Sequence, residues 1–198
     1  MQFPEAPITR FVAHVGVAVG RADEDALSGV DLQVKRVLQA SPVVVCVKTL
    51  LFLCTGNYYR SRFAEELFNH RVPHAGLSWI AKSRALAIER GISNVGSLAP
   101  FAVRALEERG LAARGANRPP QRCTITDLKA ADWIVALNET EHRPLLLERF
   151  PGWEQRVEYW HVGDVDVALP AAALNSIENE IQLLLFALRQ IEPLSSSN

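Results

Sequence analysis

The chain has 198 residues, 48% hydrophobic and 22% charged, with a formal net charge of -1. That balance excludes a disordered polar protein and gives no electrostatic reason to bind nucleic acid or an acidic membrane surface. The three cysteines (Cys46, Cys54 and Cys123) include no C-x-x-C pair, which argues against a disulfide framework or a zinc set and suits a reducing compartment.

One hydrophobic core serves a chain of this length. The first residues show neither a basic lead-in nor a clean apolar core before a small-residue cleavage site. The apolar run over residues 43–53 is interrupted by Lys48 and is too short to cross a bilayer. These features predict a soluble, cytoplasmic protein with no membrane partner.

Residues 1–42 read as an N-terminal extension of open structure, with strand-like residues 11–19 and a short helical stretch at 31–39 that Ser41-Pro42 ends. A domain is expected over residues 43–194. Within it, residues 50–53 are continuously apolar, as in a strand covered on both faces. Residues 61–70 then read as a helix with Phe63, Ala64, Leu67 and Phe68 on one side. Residues 79–83 read as a strand, and 99–109 as a helix with Pro100 in its first turn and Gly110 at its end.

A helical turn is expected at 126–130, a strand at 132–137 and a helix at 139–150, stopped by Pro151-Gly152. A fourth strand at 157–160 precedes a long helix over 170–191, where Leu174, Ile177, Ile181, Leu184, Leu185 and Leu188 recur at helical spacing. Strands alternating with helices predict a three-layer α/β fold: a central four-stranded parallel sheet with helices on both faces, plus the N-terminal extension.

The chemistry is concentrated in Cys54-Thr55-Gly56-Asn57-Tyr58-Tyr59-Arg60-Ser61. A turn between a buried strand and a helix aims successive backbone N–H groups inward, and the helix start adds more donors and partial positive charge. Such a nest fits an oxyanion. Gly56 is read as the residue whose backbone freedom closes the turn. Arg60 supplies a planar fork for two oxygens, and the same field favours a thiolate at Cys54. Thr55, Gly56, Asn57, Tyr58, Tyr59 and Ser61 are the expected substrate-binding residues, with Asn57 pinning the loop and Ser61 donating to the sulfur or capping the helix. Cys46 reads as a core cysteine and Cys123 as incidental.

The segment LFLCTGNYYRSRFAEELF resembles the low-molecular-weight protein tyrosine phosphatases and the arsenate reductases of the same fold, through C-x5-R-S at Cys54 to Ser61. The resemblance continues through Lys82-Ser83-Arg84, Ala131-Asp132-Trp133, Glu141-His142-Arg143 and Val157-Glu158-Tyr159-Trp160 to Asp164. It implies a cysteinyl-phosphate mechanism in which Cys54 attacks phosphorus, Arg60 and the loop amides hold the oxygens, and a loop carboxylic acid protonates the leaving group. Asp164 holds the family's acid position, with Asp166 as its competitor. Ser83 is either a partner of Asn57 beneath the loop, as the family pattern implies, or a solvated strand end. Glu141-His142-Arg143 reads as a helix cap or surface feature rather than a substrate contact.

Two departures stand out. Tyr59 replaces the second loop cysteine of many members, and Val162-Gly163-Asp164-Val165-Asp166 replaces the Asp-Pro-Tyr run. The expected substrate is a phosphotyrosine protein or small phosphomonoester, with phosphate, sulfate or vanadate as occupants of the loop and no cofactor or metal. The alternatives are arsenate reduction with an external thiol, and a non-catalytic phosphate-binding or regulatory module.

Overall fold

The strand Lys48–Cys54 (β1) shows how the layers assemble. Side chains of a strand alternate between its faces. Leu50 and Phe52 therefore enter one hydrophobic core, and Leu51 and Leu53 enter a second. All four are at most 1% exposed, so helices must cover both faces. The computed structural model describes residues 46–163 and 169–191. The expectations for residues 1–42 and for Asp164 and Asp166 lie outside the described residues.

After β1 come α1 (Arg60–Arg71), β2 (Trp79–Ala85), α2 (Pro100–Glu107), α3 (Ile125–Ala130), β3 (Trp133–Ala136), α4 (Glu139–Arg149), β4 (Glu158–Tyr159) and α5 (Pro170–Ile191). The strands form one sheet in the order β2-β1-β3-β4, every pair parallel. The three-layer α/β arrangement with a central four-stranded parallel sheet is thus present. On one face Phe63, Leu67 and Phe68 of α1 meet Ile177, Ile181, Leu184 and Leu188 of α5. On the other, Leu128 of α3 and Leu145 and Leu146 of α4 close over Ile134 and Ala136. Each such side chain contributes roughly 1.5–3 kcal/mol when fully buried, enough to hold the helices in place.

Helix ends follow local chemistry. Helix α3 is capped by Thr124, whose hydroxyl accepts from the Asp127 N–H while the Asp127 carboxylate accepts from the Thr124 N–H. Gly110 and Gly152, at φ of 70° and 85°, lie just beyond α2 and α4 in the left-handed region that glycine tolerates.

One cysteine expectation is corrected. Cys46 is exposed, because it precedes the first residue of β1 and so falls outside the packed sheet. Cys123 lies in a connection between elements, as expected, and is packed in the second core, where burial pushes its thiol up to about 12.

Successive connections from β1 to β2 and from β2 to β3 place those strands on opposite sides of β1. Crevices at such reversals, beyond the carboxyl ends of the strands, are where open α/β sheets bind ligands. Cys54 ends β1, and Asn138 follows β3 closely at the same end. Among the described residues no helix is long and apolar enough to cross a membrane.

Candidate active site

Between Cys54 and Arg60 the chain turns from a strand directly into α1, and Tyr59 at its N-cap position makes no side-chain cap. The first N–H groups of the helix are therefore not occupied by a capping side chain, which suits an anion. One residue carries the strain of the turn. Asn57 has φ of 53°, the only left-handed non-glycine residue among the described residues. This corrects the role expected of Gly56, whose φ lies outside that region and whose added Cβ would meet only ordinary contacts, 3.7 Å from Gly91 Cα.

Asn57 is held there from every side. Its side-chain N–H groups donate to Ser61 Oγ (3.1 Å) and Ser83 Oγ (2.8 Å), and its Oδ1 accepts from the Gln121 N–H (2.9 Å). Its own backbone N–H donates to Cys54 Sγ at 3.2 Å. Ser83 is thus the partner of Asn57 rather than a solvated strand end. Its hydroxyl donates to Glu65 at 2.5 Å, and Arg118 donates to the same carboxylate. Burial, the largest influence on Glu65, raises its carboxyl above the usual range.

Ser61 Oγ lies 2.9 Å from Cys54 Sγ. Ser61 Oγ also accepts from Asn57, and either Ser61 or Cys54 can supply the proton shared between them. The Asn57 N–H and the Ser61 hydroxyl thus converge on Cys54 Sγ. Asn57 and Ser61 are fully buried and do not line the cavity above the sulfur, so both act from beneath the loop. That cavity, about 360 Å³, is bounded by Cys54, Thr55, Gly56 and Arg60 on the loop, with Tyr58, Tyr59 and Phe101 as aromatic neighbours. Residues 90–94 close its other side, where Arg90 contributes a second positive charge.

Arg60 is 2% exposed, and its fork is gripped by Glu141: Nη1 donates to Oε1 at 2.9 Å and Nη2 to Oε2 at 2.6 Å. Nη1 also donates to the Val162 carbonyl at 3.0 Å. This overturns the reading of Glu141 as a cap or surface residue. The cap of α4 is Asn138, whose Oδ1 accepts from the Glu141 N–H at 3.1 Å. The sequence signal was present in Asn138-x-x-Glu141 just after an apolar strand. Only the parallel pairing of β1 with β3 brings that strand end beside Cys54. Arg62 was also missed. It is fully buried and donates to the carbonyls of Ser97, Gly115 and Arg118, tying two loops to α1.

Beside Glu141, His142 is wholly buried and accepts the Asn138 N–H at Nδ1, which leaves the proton on Nε2. Burial first, and then the charge of Arg60, hold its pKa down to about 3. An unfolded histidine titrates near 6.5, so below that pH the unfolded chain takes a proton the folded one refuses. Stability from this group is complete above about pH 6.5 and is lost as pH falls toward 3, at up to ~1.4 kcal/mol per unit. Urea melts from pH 7 to 5 are expected to show a falling midpoint, with a flatter dependence in His142→Asn.

Known proteins resemble this chain in sequence and in fold. Residues 49–168 match the family described as low molecular weight phosphotyrosine protein phosphatase. The protein-arginine-phosphatase of Bacillus subtilis (strain 168) is 29% identical over 108 residues, covering 54% of this chain and 67% of that protein. Among solved structures, the low molecular weight protein tyrosine phosphatase of T. tengcongensis superposes with a TM-score of 0.58 at 24% identity, over 73% of this chain and 99% of that one. YfkJ from Bacillus subtilis gives a TM-score of 0.63 at 19% identity, over 74% and 97%. The two structures speak for the fold; the family match spans most of the chain and contains the whole anion loop. The chain belongs to the low molecular weight phosphotyrosine protein phosphatase family, as a cysteine-based phosphatase.

Proposed function

We propose that this protein hydrolyses phosphotyrosine on protein substrates through a cysteinyl-phosphate. The observation that carries the reading is the convergence of the Asn57 N–H and the Ser61 hydroxyl on Cys54 Sγ, with Arg60 at the head of the same loop. Cys54 attacks phosphorus as the phosphorus–oxygen bond to the tyrosine breaks, and Asp164 gives its proton to the departing oxygen. Water then attacks phosphorus, forming a phosphorus–oxygen bond as the phosphorus–sulfur bond breaks and passing a proton to the Asp164 carboxylate, which releases phosphate and the thiolate. Thr55, Gly56, Tyr58 and Tyr59 surround the phosphoryl group and its ring.

Support for Asp164 comes from the described residues on either side of it. The Val162 carbonyl accepts from Arg60, and the Pro170 carbonyl accepts from the Tyr59 hydroxyl at 3.1 Å. Both flanks are tied to the anion loop, so an acid from this stretch suits the reaction.

Phosphotyrosine is favoured over phosphoarginine by charge. Arg60 is paired with Glu141 and serves the phosphoryl group of either substrate, whereas Arg90, the charged residue on the opposite wall, is a cation that opposes a guanidinium leaving group. Arsenate reduction through an internal thiol relay is disfavoured, since Cys123 is buried and its thiol is pushed up to about 12.

The test is phosphate release from p-nitrophenyl phosphate, a phosphotyrosyl peptide and a phosphoarginyl peptide. Phosphotyrosine turnover should exceed phosphoarginine turnover, and Asp164→Asn should slow it by ~10²–10⁴-fold. A larger loss in Asp166→Asn would transfer the acid role to that residue. Phosphate binding without any turnover would select the non-catalytic alternative.

A further inference from the structure

A second cavity of about 610 Å³ lies between α2 and the start of α5, and Phe101 lines both it and the cavity over Cys54. The partition between them is thin and specific. Tyr59, from the anion loop, sets its ring edge-on to Phe101 at 4.6 Å and donates its hydroxyl to the carbonyl of Pro170, which lines the second cavity. The two spaces are therefore adjacent parts of one surface, separated by a pair of aromatic rings.

The wall of the second cavity is laid out by helical spacing. Phe101, Arg104 and Glu108 recur at intervals of three and four along one side of α2 and its end, and exposed Leu169 supplies an apolar patch opposite. From Phe101 to Glu108 the axial rise is roughly 10 Å, the length of about three residues of extended peptide. The charges along it are not all spent internally. Arg109 is engaged by Glu178 and Asn175. Arg104 makes no ion pair among the described residues, and neither does Arg90 at the first cavity; Glu108, the carboxylate lining this cleft, stands at the far end.

We propose that this cleft is the docking channel for the polypeptide flanking the phosphorylated residue, and that it selects an acidic side chain within three positions of the phosphotyrosine by pairing it with Arg104. The proposal rests on the phosphatase reading above and names the substrate sequence that reading leaves open. The occupant is an extended phosphopeptide because the cleft adjoins the catalytic cavity across Phe101 and because Arg104, one helical turn from Phe101, complements an acid. A small phosphomonoester would fill only the first cavity.

The experiment compares three phosphotyrosyl peptides of equal length whose flanking residues are acidic, neutral or lysine, with p-nitrophenyl phosphate as the small substrate. Wild type is expected to favour the acidic peptide in kcat/KM. Arg104→Gln should lower that preference about threefold and Arg104→Glu about tenfold, with the lysine peptide gaining on charge reversal and p-nitrophenyl phosphate unchanged. Equal kcat/KM for the three peptides, or an equal loss on all substrates, would overturn the docking channel while leaving the phosphatase reading intact. The same peptides titrated into Cys54→Ser protein separate the two claims: a charge preference in binding without any turnover by wild type would keep the channel and remove the phosphatase reading. Neither binding nor turnover would remove both.

Discussion

Cys54→Ser is expected to lose at least about 10⁴-fold in kcat while unfolding within ~1 kcal/mol of wild type. The asymmetry follows from the site. Serine is nearly isosteric with cysteine and can accept the same Asn57 N–H and face the same Ser61 hydroxyl, so the buried loop keeps its hydrogen bonds. What disappears is the proposed nucleophile. The alkoxide needed in its place is far harder to form, and no described group contacting Cys54 is a base that could generate it. Steady-state hydrolysis of p-nitrophenyl phosphate beside a thermal melt measures both quantities. A rate within tenfold of wild type would show that hydrolysis does not pass through the sulfur.

The second large effect concerns the guanidinium and its carboxylate. Arg60→Lys is expected to lower kcat by ~10²–10³-fold, because a point-like ammonium cannot present two parallel donors to the equatorial oxygens of the transition state. Glu141→Gln keeps one acceptor for Arg60 but loses the charge and the second strong bond, and about a tenfold loss in kcat with little change in KM is expected. If Glu141 acts by orienting Arg60, the two losses will not add. The Arg60→Lys/Glu141→Gln double variant should be no slower than Arg60→Lys alone. Full additivity would assign Glu141 a contribution independent of Arg60. Glu141→Gln should also melt a few degrees lower, since Arg60 is nearly fully buried and its charge is then less well compensated.

The two residues illustrate what could be read without coordinates. Cys54, Arg60 and Ser61 are neighbours in sequence, and a strand-to-helix turn brings such neighbours together by local geometry alone. Asn57 was legible for the same reason as the residue that pins the loop, but not as the bearer of its left-handed backbone. Gly56 was misread because glycine is the usual bearer of positive φ, whereas here Ser61, Ser83 and Gln121 together hold the asparagine in that conformation. Glu141 was misread for the opposite reason. At the third position of a helix, a glutamate after Asn138 looks like part of a cap, and its true partner lies 81 positions away in sequence.

Apolar periodicity by itself determined the layered fold: β1 alternates leucines and phenylalanine between two cores, and α5 repeats leucine and isoleucine at helical intervals. The contiguous run from Cys54 to Ser61 likewise marked Cys54 as the candidate nucleophile, since every element of the anion loop is local in sequence. Only the tertiary structure decided which carboxylate meets Arg60, that Cys123 is sealed in the core, and that a second cleft adjoins the first across Phe101. The physical reason is that strand order is set by the packing of whole faces. Any side chain at the carboxyl end of a neighbouring strand becomes a neighbour of Cys54 only once that order exists.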